Sequence, residues 1–150
     1  MADSIREQVL AAFYTAINGD AALSGIDVER NRGMPVPAGK TQFVVIYDGG
    51  EPQAIASSGI STITMTPTVE MYQRGASRSA ASTALNNLAA DVIKAALADY
   101  TLGGLSIDVR YGGMADPLPS AEDNLYLMTA EIIFQIDYQT DDIDPYASAP

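Results

Sequence analysis

Apolar residues recur at nearly every fourth position along SIREQVLAAFYTAIN, residues 4–18: Ile5, Val9, Phe13 and Ile17, with Leu10 beside them. A stripe with that period predicts an amphipathic helix. Ser4 and Glu7 stand in capping-box spacing at its start, and Gly19 follows as its stop. Residues 19–40 are rich in turn formers, with room for one short strand in GIDVERNR. The pattern then changes period. TQFVVIYDGG is a β-branched and aromatic run that predicts a strand ended by an Asp-Gly-Gly turn, and EPQAIASSG reads as a loop.

The clearest alternation lies in STITMTPTVEMYQRG. Ile63, Met65, Val69 and Met71 face one way, while Thr62, Thr64, Thr66, Thr68 and Glu70 face the other. Pro67 has no donor for a ladder, so this strand is expected at an edge or with a bulge. Residues 77–100 predict a second helix with a Leu85, Leu88, Val92, Ala96 stripe, and its many alanines would let it lie close to a sheet. LSIDVRY alternates as a further strand, GGMADPLPSAED reads as a loop, and residues 124–140 alternate from Tyr126 through Tyr138 as a last long strand. Half-polar strands suit an antiparallel sheet with one covered face. The expected fold is therefore α+β: two layers, a mainly antiparallel sheet of about four to five strands, and two helices on one face. Residues 1–140 are expected to form a single domain, followed by a flexible acidic tail, 141–150.

Composition narrows the chemistry. The 150 residues include no cysteine and no histidine. That removes disulfides, the commonest general base and most transition-metal ligands. Lys40 and Lys94 could in principle activate a serine, but no motif supports such a pair. GMPVPAGKT, residues 33–41, ends like a phosphate-binding loop, yet its glycines are spaced one residue too far apart. A strand, not a helix, follows Lys40, so no helix N-terminus would face the anion. The group Asp141, Asp142 and Asp144 lacks the alternating ligands, central glycine and closing glutamate of a calcium loop, and Pro145 interrupts it. No catalytic, metal or cofactor-binding residue is expected. The polar, acidic opening MADSIREQ does not read as a secretory signal, and no apolar run reaches membrane-spanning length.

Charge is uneven. All eight Lys and Arg residues lie at or before Arg110, and the last forty residues carry acids alone, within a formal net charge of −11. A chain of this kind repels duplex DNA over most of its surface. Arg30, Arg32 and Lys40 cluster in sequence, and Arg74 and Arg78 flank the start of the second helix. These five, with Asp137, Asp141, Asp142 and Asp144, are the candidate interface residues. A basic edge on one copy could meet an acidic edge on the next, and head-to-tail contacts can close into rings.

The order of these segments resembles the tail-terminator (tail-completion) proteins of long-tailed bacteriophages over nearly the whole chain. The resemblance lies in IREQVLAAFYTAI, the basic turn VERNRGMPVP before FVVIYDGG, the strand TITMTPTVEMYQRG, the helix closed by DYTLGG, and the last strand EIIFQIDYQTDDIDP. It implies a structural virion protein: a ring, usually of six subunits, seated on the last ring of tail-tube protein. That ring stops tube growth and joins the tail to a head connector or neck protein, at the head-proximal end of the virion tail. DNA would pass through the lumen without specific binding, and no membrane is involved. A tail-tube subunit is the nearest alternative, and a host α+β small-molecule-binding domain is one of a different class. The stretches 48–61 and 112–123 are expected to be mobile in an isolated subunit and to become ordered at contacts.

Overall fold

The structure, a computed structural model, describes residues 2–122 and 125–150. Helix α1, Ile5–Asn18, buries the expected stripe. The Ser4 Oγ accepts from the Glu7 amide at 3.3 Å. Only half of the capping box forms, because the Glu7 carboxylate is turned towards Arg30. Helix α2, Arg78–Leu97, starts at a Ser77 cap and buries Leu85, Leu88, Val92 and four alanines. With no side chain beyond Cβ, those alanines let the helix axis approach the sheet closely.

Among the described residues eight strands follow one another: β1 Asp27–Arg30, β2 Gln42–Tyr47, β3 Gln53–Ser57, β4 Ile60–Met65, β5 Thr68–Gly75, β6 Asp108–Met114, β7 Leu118–Glu122 and β8 Leu125–Asp141. All belong to one sheet, antiparallel except where β1 runs parallel to β2. The fold is the expected α+β with more strands than expected, and the register explains the excess. Met65 faces Ile136 and Thr68 faces Ile133, so β4 and β5 are one row in a single register along β8. The break falls at Thr66–Pro67, where Pro67 accepts from the Phe134 amide at 3.0 Å but has no N–H to return. Proline is therefore tolerated in an interior row, not at an edge, by interrupting the ladder locally.

The neighbouring rows are interrupted at the same level. Between β2 and β3 the chain passes through Gly49 and Gly50, and the Gly50 carbonyl accepts from the Thr66 amide at 2.9 Å. Asp-Gly-Gly is thus a bulge within a row, and the chain reverses later, at Ser58–Gly59. Both residues of that two-residue turn have positive φ, 55° and 84°, the geometry that matches strand twist. On the far side of β8, the register shifts between Tyr111 and Met114. The stretches EPQAIASSG and GGMADPLPSAED, expected as loops, largely form strands: β3 from the first, and the end of β6 and β7 from the second. Backbone pairing imposes this, with β7 laid against the first residues of β8. Asp123 and Asn124 lie outside the described residues.

The two helices cover one face. Val44, Ile46, Val69, Met71, Ile132, Phe134 and Ile136 meet Leu10, Phe13, Leu85 and Val92 in the core. At its centre Phe13 and Phe134 pack edge to face, with ring centroids 5.3 Å apart. Phe43 and Val45 are also buried, although they alternate onto the opposite face. The segment 31–41 shields part of this corner, with the Arg32 guanidinium over the Phe43 ring at 5.2 Å.

β8 continues one residue past the expected domain end, through Asp141. The acidic segment beyond it curls back onto the body. The Asp141 amide donates to Ala147, Thr140 bridges Ser148, and the Ile5 amide at the start of α1 donates to the Pro145 carbonyl at 3.0 Å.

Candidate functional site

The arginines of the expected basic edge are used inside the subunit. Arg30, at the end of β1, binds both Glu7 oxygens at 2.6 and 2.8 Å and both Asp48 oxygens at 2.6 and 2.9 Å. One guanidinium thus ties the first turn of α1 to β1 and to the bulge after β2. The two carboxylates raise the Arg30 pKa, and its hydrogen bonds hold Glu7 and Asp48 below the usual carboxylate range. Because those folded-state pKa values are depressed, the pair stabilises above the unfolded values near 4. That stability is lost as pH falls through the lower folded values. Arg30→Met is expected to cost about 2 kcal/mol at pH 7, a charge-assisted pair of partial exposure. It should also flatten the loss of stability below pH 4. Urea unfolding of both proteins from pH 7 to pH 2.5 checks this, and parallel pH profiles would contradict it.

Arg32 binds Glu29 at 2.6 Å and the carbonyls of Met34 and Pro35, which fixes the segment after β1. Lys40 reaches Asp27 at 2.7 Å but keeps about half of its side chain in solvent. Arg74 is buried and donates to the Pro37 and Lys40 carbonyls, anchoring the same segment over the sheet. Arg78 is different. It stands exposed at the start of α2, with its guanidinium 5.7 Å from the centre of the Tyr126 ring.

The acids divide in the same way. Asp137 accepts from Thr64 at 2.6 Å and from Arg110 at 2.7 Å, and Arg110 also reaches Asp108 at 2.9 Å. Arg110 holds the Asp137 pKa down, and the two acids raise that of Arg110. Asp141 and Asp144 accept from nearby backbone amides, shaping the terminal turns. The Asp142 side chain is exposed, while its amide donates to Gly59 at the tip of the β3–β4 hairpin. The fold brings Arg32 and Lys40, neighbours in sequence, together with Arg74, around one segment of their own chain. Within one chain they are far from Asp141, Asp142 and Asp144, the acids expected to meet them on a neighbouring copy. Those lie at the other end of β8, about 45 Å away at 3.3 Å per residue.

Two arrangements have little signal in the sequence. Tyr138, 1% exposed, extends from the core so that its hydroxyl donates to Glu51 at 2.7 Å, and Arg6 pairs with the same carboxylate. Burial, then Glu51, raises the Tyr138 pKa. The other is the sheet face away from the helices. Across β4, β5 and β8 it presents Thr62, Thr64, Thr66, Thr68, Glu70, Thr129, Glu131, Gln135, Asp137 and Gln139, interspersed with Tyr72, Leu127 and Ile133 and joined by bonds such as Gln139 to Thr62 at 3.0 Å. Two arginines on this face lie in rows beside β8: Arg110 is held between two acids, and Arg74, level with Leu127, is buried against the Pro37 and Lys40 carbonyls. Alternation predicted the threonines, but not that they would lie beside the polar row of β8.

A groove of about 290 Å³ lies between the β3–β4 hairpin, the start of α1 and the terminal turns, lined by Arg6, Glu51, Ile63, Tyr138 and Tyr146. Of the polar groups facing it, Arg6, Glu51 and the Tyr138 hydroxyl are bonded to one another.

No family model matches the chain, and no curated protein matches it. Among solved structures it is similar to a chain in a structure described as the virion of a native gene transfer agent particle. The TM-score is 0.48 at 17% identity, over 90% of this chain and 97% of that one. Likeness of that degree identifies neither activity nor partner. What this protein does has to be read from its own surfaces.

Proposed function

We propose that the protein is a structural component of a phage-like virion: a tail terminator that forms a ring on the end of the tail tube. It would halt tube growth there and join the tail to the head connector. The observation that carries this reading is the sheet face away from the helices, open outside the corner that segment 31–41 shields. It is a broad, mainly polar surface of hydroxyls, amides and carboxylates, with Ile55 and Ile133 among its exposed apolar side chains, and its Arg110 is neutralised by Asp108 and Asp137. Turned towards the centre of a ring, such a face would let duplex DNA slide, because phosphate adsorption requires free Lys or Arg to displace counterions. The helices on the opposite side would then form the outer wall. The role is assembly and not catalysis, which accords with a chain that contains neither His nor Cys.

Negative-stain images and light scattering of the full-length protein test the reading. A single closed ring, with no retention of duplex DNA at low salt, is the expected result. Indefinite stacked cylinders would make it a tube subunit instead. Tight salt-sensitive DNA binding, or a subunit that never associates with itself or with tail tubes, would overturn the reading.

A further inference from the structure

The edges of the sheet differ in how well they are protected. β1 reads Asp-Val-Glu-Arg, and its Val28 carbonyl already accepts from the Tyr14 hydroxyl at 3.1 Å. β6 carries Asp108, Arg110 and a register shift, and β7 carries Pro119. Charge, bulges and proline are the usual means by which edge strands avoid pairing with another chain. β3 has none of them. Its five residues, Gln-Ala-Ile-Ala-Ser, are all exposed and pair with β4 alone.

The β3 sequence is also nearly symmetric about its centre. A two-residue turn makes Ser57 and Ile60 a hydrogen-bonded pair, and alternation along the ladder then turns the N–H and C=O groups of Ala54 and Ala56 outward. We infer that β3 is a self-complementary docking strand, which pairs antiparallel with β3 of a second copy about a two-fold axis at Ile55. In that register Ala54 of each copy exchanges both backbone bonds with Ala56 of the other. Gln53 lies opposite Ser57, and the two Ile55 side chains meet. Ile55 is 55% exposed in the single chain, and it shares the polar face with Thr62 and Gln139. The pairing covers this apolar side chain with its own copy. On the other face only the alanine methyls flank the join, so no side chain obstructs it. The contact would carry the sheet from β8 through β4 and β3 into the second copy. Being two-fold, it is separate from the head-to-tail contacts that close a ring, would join a subunit of one ring to a subunit of another, and does not depend on the ring reading.

The absence of native cysteine gives a register-specific test. In the inferred pairing Ile55 faces its own copy in a non-hydrogen-bonded pair, with Cα atoms about 4.5 Å apart, within disulfide range. The two Gln53 positions would be about 14 Å apart, beyond it. Full-length Ile55→Cys, oxidised in 0.3 M salt to screen the like net charges, is expected to run as a covalent dimer on a non-reducing gel. Gln53→Cys should remain mostly uncrosslinked. Both sites are exposed, so circular dichroism of the reduced variants should match the parent. Ile55→Lys should lower the mass of the unoxidised assembly, at least twofold by light scattering. Equal crosslinking of the two cysteine variants, or a mass unchanged by Ile55→Lys, would overturn the pairing. A closed ring whose Ile55→Cys form gives no disulfide would overturn it too, yet leave the ring standing. Crosslinked dimers that never form rings would do the reverse.

Discussion

Phe134→Ala is expected to destabilise the protein by about 4 kcal/mol, the range for a buried aromatic truncated to a methyl group. Phe134 has no solvent exposure and packs edge to face on Phe13 of α1, which is equally buried. Its loss therefore opens a cavity between sheet and helix and removes an aromatic pair. It does so on β8, the strand to which β4, β5, β6 and β7 are all hydrogen-bonded. The surroundings cannot readily collapse into the space, because Ile132 and Ile136 on either side are held in the ladder. Chemical denaturation should show a lower midpoint with a similar slope. A cost below about 1 kcal/mol would mean that Phe134 is not the centre of the core.

Gly49→Ala should be nearly as damaging for a different reason. Gly49 has φ +68°, and a Cβ placed there would lie 1.9 Å from the Thr66 carbonyl oxygen. The clash is with backbone, so no side-chain rotation relieves it. The strand must move, and the Gly50–Thr66 hydrogen bond beside it must be strained or lost. Together with the left-handed backbone, a cost of about 3 kcal/mol is expected. Gly33→Ala, with open space around its Cβ position and no positive φ, is the matched control and should change the unfolding midpoint little. Equal effects from the two substitutions would refute the steric account.

Where the sequence was readable, a single period controlled the outcome. The helix stripes of Ile5 to Ile17 and Leu85 to Ala96 are buried, as is the inward set Met65, Val69, Met71 and Ile132 to Tyr138. Those patterns specify one face without reference to distant residues. Where pairing decides, local signals misled. QAIAS has small polar and apolar residues in no decisive order, and it is a strand because β4 lies beside it. Gly-Gly at 49–50 and 112–113 looks like a pair of chain reversals, but both are irregularities within rows. The candidate site was read least well. An arginine in a run of basic residues cannot announce that Glu7 and Asp48, far from it in sequence, will hold it. Asp108 and Arg110, two apart and so on one face of a strand, were the local part of the signal that was available. Their meeting with Asp137 and Thr64 needed the sheet.

The interruptions in the sheet have a mechanical meaning. Gly50 bonds Thr66, Pro67 bonds Phe134, and Gly112 lies against the Ile133 carbonyl, so the weak points of three rows fall on one line. Among the described strands only β8, 17 residues and about 56 Å long, crosses that line unbroken. The sheet resembles a plate scored across its width and backed by a single spring leaf. Load applied to the β3–β4 hairpin would flex the plate along the score, while the helix-packed half behind it stays rigid.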